Sequence, residues 1–268
     1  MRARKRFGQH FLQPAWVDKV VDAIDPRPTD RFVEIGPGRG AITTILASRI
    51  ERLVAIEVDR DLAALLARQA PANVTVVTAD VLDVTLADIA GRELGATRAN
   101  PIRIAGNLPY SISSPILFRL LETGASRLAS DATLMLQKEV ADRLVAAPAT
   151  AEYGVLTLTT ALDADVTRLL SLPAGAFRPV PKVQSALVRL SFRPPPDYVT
   201  DRSLVTSLIR AVFTQRRKML GNALEPFASS RGASARVLLD HAGIDPRRRP
   251  ETLRLDEVAR LAAGLRTR

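Results

Sequence analysis

Between residues 31 and 136 short apolar runs alternate with longer stretches whose apolar residues recur at helical spacing, and this alternation predicts most of the architecture. Phe32-Val33-Glu34-Ile35, Leu53-Val54-Ala55-Ile56, Val74–Thr78, 102–105 and 132–136 read as buried strands. The stretches 41–50, Arg60–Gln69, 86–89 and 111–121 read as the helices between them. Strands alternating with helices predict an α/β fold, a Rossmann-like parallel sheet with helices on both faces. Pro14–Ile24 is a further amphipathic helix, 138–146 another, and one long helical stretch is expected after Tyr153. Residues 186–192 return to a strand pattern, and Pro194-Pro195-Pro196 follows as the best linker. It divides the chain into 1–196 and a smaller helical domain, 197–268. In that domain Leu204, Leu208, Val212 and Met219 mark one apolar stripe, and 255–265 is the last helix.

Composition narrows the class. With 47% hydrophobic and 25% charged residues, the 268-residue chain matches a soluble globular protein with room for one large and one small domain. It has no cysteine and only His10 and His241, so no disulfide framework and no metal site are expected, and a reducing cytoplasm fits. The basic start leads into Phe7-Gly8-Gln9-His10-Phe11 rather than a signal core, and no run of about eighteen apolar residues occurs. No membrane association is expected, and a monomer is.

The net charge of +10 is segregated: residues 1–19 carry +4, residues 20–200 carry −1 and residues 201–268 carry +7. A neutral middle with two basic ends suggests a catalytic body flanked by surfaces for a polyanion. Candidate cations are Arg4, Lys5 and Arg6 at one end and Arg216, Arg217, Lys218, Arg247, Arg248 and Arg249 at the other. The aromatics that follow the N-terminal cations, Phe7 and Phe11, would accept bases or an adenine ring. A frayed basic terminus and charge runs that simply face solvent are the plainer alternatives.

Chemistry collects at the strand ends. Gly36-Pro37-Gly38-Arg39-Gly40 follows the first strand of the alternation, and Glu57 ends the second about twenty residues later. Glycines let a backbone approach a ligand and the acid can hold ribose hydroxyls, so this half reads as nucleoside-binding. Dinucleotides and S-adenosylmethionine both use such an arrangement, and Ala41 even satisfies a loose GxGxxA pattern. Two features favour S-adenosylmethionine. Glu34, within the end of its strand, suits a cationic amino acid better than a pyrophosphate, and Asp80 is placed to accept from an adenine amine.

Asn107-Leu108-Pro109-Tyr110 stands at the mouth of the next strand. The Asn107 side-chain oxygen and the Leu108 main-chain oxygen, directed by Pro109, can accept the two hydrogens of an amine on a flat ring, while Tyr110 stacks on that ring. Such acceptors would free the amine's lone pair for attack. An ordinary strand-to-helix turn is the alternative. In Phe177-Arg178-Pro179-Val180-Pro181-Lys182-Val183-Gln184-Ser185 the prolines stiffen a loop that would present Phe177 against a base opposite Tyr110; alternatively Phe177 is a core plug.

Taken together, Phe7 through Leu12, Val33 through Gly38, Glu57-Val58-Asp59, Asn107 through Tyr110 and Phe177 through Ser185 resemble the KsgA-type 16S ribosomal RNA adenine dimethyltransferase family, related to the Erm methyltransferases. The resemblance spans nearly the whole chain. Phe213 through Leu220, Gly243-Ile244-Asp245 and Glu251-Thr252-Leu253 resemble its ribosome-biogenesis branch.

The resemblance implies a class I S-adenosylmethionine-dependent methyltransferase. His10, Leu12, Gly36, Glu57, Asp80 and Asn107 would contact the cofactor or its loop, which also contains Gly38. His10 stands where many relatives have Asn. The implied reaction doubly methylates N6 of two neighbouring adenosines in a hairpin loop near the 3′ end of small-subunit RNA, within the immature 30S particle. An Erm-like enzyme acting on large-subunit RNA, a non-catalytic RNA-binding assembly factor and a nicotinamide-dependent oxidoreductase are the rivals, and the last leaves Asn107 to Tyr110 without purpose.

Overall fold

A computed structural model describes residues 10–266. Among these described residues nine strands run β1 (Phe11–Leu12), β2 (Arg31–Ile35), β3 (Arg52–Glu57), β4 (Val74–Thr78), β5 (Ile102–Asn107), β6 (Ala129–Gln137), β7 (Ala164–Leu172), β8 (Phe177–Arg178) and β9 (Ser185–Phe192). Seven of them form one sheet in the order β4-β3-β2-β5-β6-β9-β7, and β1 pairs with β8 in a separate two-stranded ribbon. β2 to β6 pair with one another in parallel, whereas β9 runs antiparallel between β6 and β7. Every residue of β2 is buried, as a parallel strand covered on both faces requires. The chain passes from β2 outward to β4 and then returns to place β5 on the other side of β2, so a topological switch lies between β2 and β5.

The helices are α1 (Pro14–Ile24), α2 (Ala41–Ala47), α3 (Arg60–Gln69), α4 (Leu86–Leu94), α5 (Ser113–Ala125), α6 (Lys138–Leu144), α7 (Val155–Asp163), α8 (Arg202–Phe213), α9 (Leu220–Ser229), α10 (Ala235–Ala242) and α11 (Leu255–Arg266). Their ends follow local chemistry. Asp59 caps α3 by accepting from the N–H groups of Asp61 and Leu62. The last carbonyls of α1, at Ala23 and Ile24, accept from Arg189 and Arg103, side chains that come from distant strands. Among the described residues no helix is long and apolar enough to cross a membrane.

The chain divides into two compact units: one takes the chain up to Ala141 together with Ala164–Arg193, the other Asp142–Asp163 and Pro194–Arg268. The first contains the sheet, with Val20, Ile24, Phe32, Leu46, Leu53 and Phe177 in its core. The second is helical, and its core gathers Leu158 and Leu162 of α7 with Leu208, Leu224, Leu239 and Leu261.

Three expectations need correction. The single boundary at residue 196 misses the excursion 142–163, which packs with the helical unit. The long helix expected after Tyr153 ends at Asp163, and the chain continues directly into β7, which pairs with β9. Val166, Leu169 and Leu170 continue the helical spacing of Leu158 and Leu162, but the ladder partners offered by β9 decide the conformation. Met219 does not belong to the apolar stripe: it follows α8 and is 48% exposed, while Val205, Leu208, Ile209 and Val212 form the buried face.

Candidate functional site: a cavity at the topological switch

A cavity of about 760 Å³ opens in the sheet unit at the carboxyl ends of β2, β3 and β5 and behind β4. Glu34, Gly36, Gly38, Glu57, Asp80, Asn107, Leu108, Pro109 and Tyr110 all line it, joined by His10 and Leu12. The strand-end residues singled out in the sequence therefore share one wall-to-wall site.

Its floor is acidic, and its carboxylates differ in how they are held. Glu57 accepts from the N–H of Gly38 at 3.0 Å and from that of Asp59 at 2.9 Å, one bond on each oxygen. Burial still pushes its pKa up, against the pull of those bonds. Asp80 accepts from Leu82 N–H at 2.9 Å. Glu34 is only 2% exposed, and its Oε2 has no hydrogen-bond partner. Burial, helped by the nearby Glu57 charge and opposed by Thr43, pushes its pKa up to about 7. A buried acceptor left open in a cavity lined by further carboxylates is suited to a cationic ligand.

The glycine loop reaches these acids because its backbone turns through left-handed conformations. Gly38 has φ +59°, and a Cβ there would stand 3.1 Å from the Phe11 ring. Phe11 thus packs over the loop, and the Arg39 guanidinium lies 4.5 Å from the centre of the same ring. A second glycine, unremarked in the sequence, is equally constrained: a Cβ on Gly106 would meet the Ile35 carbonyl at 2.7 Å. Its absence lets β5 approach the end of β2 just before Asn107.

Asn107 donates from Nδ2 to the His10 carbonyl at 2.8 Å. A carbonyl can only accept, so this bond assigns the amide's orientation and leaves Oδ1 as the acceptor. The side chain of Leu108 is buried, so what it can offer a ligand is main chain. Tyr110 is half-buried and its hydroxyl lies 2.5 Å from Ser185 Oγ. Burial raises its pKa in spite of that bond. His10 stacks on the Tyr110 ring, with centroids 5.4 Å apart and planes 25° apart. Its Nδ1 lies 2.7 Å from the Pro179 carbonyl and must carry the proton to donate.

Phe177 is not where a base could meet it. It has no exposed surface and sits in the core with Leu12 opposite it in the β1–β8 ribbon. The core alternative holds, because the ribbon turns this side chain inward. The neighbouring Arg178 and Pro179 line the cavity instead.

The basic candidates separate into two kinds. Arg216 donates to the carbonyls of Thr150 and Ala151, and Arg248 grips Glu257 through two nitrogens at 2.6 and 2.9 Å. These two are braces. Arg247 pairs with Asp245 at 3.1 Å but remains 83% exposed. Arg217, Lys218 and Arg249 are exposed and have no salt bridge among the described residues. Arg4, Lys5 and Arg6 lie outside the described residues. Among those described, no group of His, Asp and Glu could hold a metal ion. Arg178 and Ser185 enter the sequence reading only inside the run Phe177–Ser185, and Gly106 does not enter it at all, although a glycine within a strand is a local signal of close backbone approach.

Solved structures of like shape carry related names. The dimethyladenosine transferase of Plasmodium falciparum superposes with TM-score 0.75 at 23% identity, over 94% of this chain and 96% of that one. The 23S rRNA methyltransferase ErmE gives 0.67 at 26% identity, over 95% and 99%. In sequence, the ribosomal RNA small subunit methyltransferase A of Acinetobacter baylyi is 44% identical over 265 residues, covering 97% of this chain and 92% of its own. The family model for ribosomal RNA adenine dimethylase matches residues 1–265. With a sheet of this order, a cavity at its switch point and near-complete coverage on both sides, the chain belongs to the ribosomal RNA adenine dimethylase family.

Proposed function

We propose that this chain uses S-adenosylmethionine to dimethylate N6 of two adjacent adenosines in the 3′-terminal hairpin loop of small-subunit (16S) ribosomal RNA, acting as a cytoplasmic monomer on the immature 30S particle. The observation that carries the reading is the commitment of Asn107 Nδ2 to the His10 carbonyl, which leaves an oriented acceptor at the cavity wall, as an exocyclic amine needs.

The acidic floor fits the cofactor. Glu34, with its open buried oxygen, would take the cationic amino-acid part, Glu57 the ribose hydroxyls and Asp80 the adenine amine, with His10, Leu12, Gly36 and Gly38 around them. Bound S-adenosylmethionine supplies a methyl group already activated on a sulfonium. What remains for the protein is alignment, amine polarisation and exclusion of water. Asn107 Oδ1 and the Leu108 carbonyl accept the two hydrogens of the target amine, so its lone pair is turned towards attack. No general base is needed in that step, because the proton leaves after the nitrogen has become cationic. Tyr110, steadied by Ser185 and covered on one face by His10, offers its other face to the base. A loop adenosine is cheap to splay out compared with one inside a duplex. Arg217, Lys218, Arg247 and Arg249 supply phosphate contacts from the helical unit.

The test is methylation of unmodified small and large subunits, followed by mass-spectrometric mapping of dimethyladenosine. Two adjacent sites in small-subunit RNA are expected. Modification of large-subunit RNA alone would make the enzyme Erm-like, and failure to bind S-adenosylmethionine by calorimetry would make it a non-catalytic factor. Asn107→Ala should lower kcat by about 10²- to 10³-fold, the cost of removing one preorganised polar contact, with RNA affinity within about 3-fold.

A further inference from the structure

The cavity floor carries Glu34, Glu57 and Asp80, yet its rim carries two exposed arginines, Arg39 and Arg178. Both belong to the surroundings of one ring. Arg39 lies over Phe11 at 4.5 Å, and Phe11 is the direct cross-strand partner of Arg178 in the β1–β8 ribbon, which sets the two side chains on the same face of that ribbon. The backbone that bears Arg178 is anchored on both sides, by the ribbon pairing before it and by the bond between the Pro179 carbonyl and His10 after it. Its guanidinium is otherwise uncommitted: the bond drawn from it is a long one, 3.4 Å to the Phe177 carbonyl, and among the described residues no carboxylate pairs with it. A rooted, exposed cation therefore stands at the lip of an acidic cavity. It suits an anion that must reach the lip while its attached base enters.

We propose that Arg178, with Arg39 across Phe11, forms a phosphate-binding rim that holds the RNA backbone beside the target adenosine and so sets which base enters the cavity. This rests on the reading of the chain as an RNA adenine methyltransferase. Acid within and base without divide the work: the floor selects the positively charged methyl donor, the rim the negatively charged acceptor strand. Arg178 is a positioning residue for the nucleotide, and the methyl transfer itself does not pass through it.

The experiment compares wild type, Arg178→Ala, Arg178→Lys and Arg178→Glu on unmethylated small ribosomal subunits, with steady-state methyl transfer measured from 50 to 200 mM salt and S-adenosylmethionine affinity measured by calorimetry. Arg178→Ala should raise KM for the subunit about 10-fold and make the log–log salt dependence of kcat/KM shallower by about 0.7, the value of one single-strand phosphate contact. Arg178→Lys should recover most of the KM, Arg178→Glu should raise it further, and all four proteins should bind S-adenosylmethionine alike. An unchanged KM and salt slope in Arg178→Ala with an active wild type overturns the rim alone, as does a lysine variant no better than alanine or a loss of cofactor affinity. A wild type that methylates no ribosomal RNA removes the functional reading and the rim with it.

Discussion

The floor of the cavity and the interior of the helical unit both bury charge, and they treat it in opposite ways. In the helical unit a buried charge has its partner in the chain: Asp163, fully buried, receives Arg202 at 2.5 Å, and Glu257 receives Arg248 at 2.6 Å and has its pKa lowered by it. Tyr153, whose pKa burial pushes up to about 12, donates to the Leu253 carbonyl. On the cavity floor Glu34 is as deeply buried but keeps an oxygen without a partner, and its pKa rises instead of falling. Asp163 and Glu257 are thus answered by a guanidinium within the chain, whereas Glu34, on the wall of a cavity, is left with an oxygen that a ligand could complete.

That contrast can be broken at either end. The largest effect is expected from Arg202→Met, which strands the Asp163 carboxylate in the helical unit without a counter-charge; a loss of about 3 kcal/mol in urea denaturation, with S-adenosylmethionine affinity unchanged, is the expected result. Glu34→Gln should act the other way. A carboxyl whose folded pKa is raised from 4.5 to about 7 costs nothing below pH 4.5, costs more as pH rises through that window, and costs in full above pH 7. Removing it should therefore improve stability relative to wild type by about 3 kcal/mol more at pH 8 than at pH 4, while weakening S-adenosylmethionine binding at least about 10-fold. Smallest is the pair Arg217→Ala and Arg248→Ala. The first should leave stability within about 0.5 kcal/mol and make the salt dependence of RNA binding shallower; the second should cost about 1–3 kcal/mol and leave that slope alone.

Much of the sheet was legible because its signals are local. β3 and β5 are short apolar runs that end on Glu57 and Asn107, and Asp80 follows β4 by two residues, so these candidates could be placed on one rim from periodicity and the glycine loop. What escaped depends on partners far along the chain. β7 continues the spacing of a helix and becomes a strand only because β9 pairs with it. Tyr110 is held by Ser185 and stacked by His10, and Asn107 is oriented by the His10 carbonyl, links across roughly a third of the chain that no local pattern encodes. Phe177 follows a proline-bounded turn as a displayed aromatic would, and only the ribbon pairing shows that it faces inward. Arg216 and Arg217 are adjacent and chemically identical, yet one is spent on carbonyls and the other is exposed.

The detour of 142–163 into the helical unit has a consequence for anyone cutting the gene. Leu158 and Leu162 are translated well before the partners that cover them, so the nascent chain must carry a greasy helix uncovered until residues 194–268 emerge. A product terminated at Pro196 would keep that helix and lose its cover for good, and clumping of such a fragment would reflect where the cut was made rather than any weakness of the sheet.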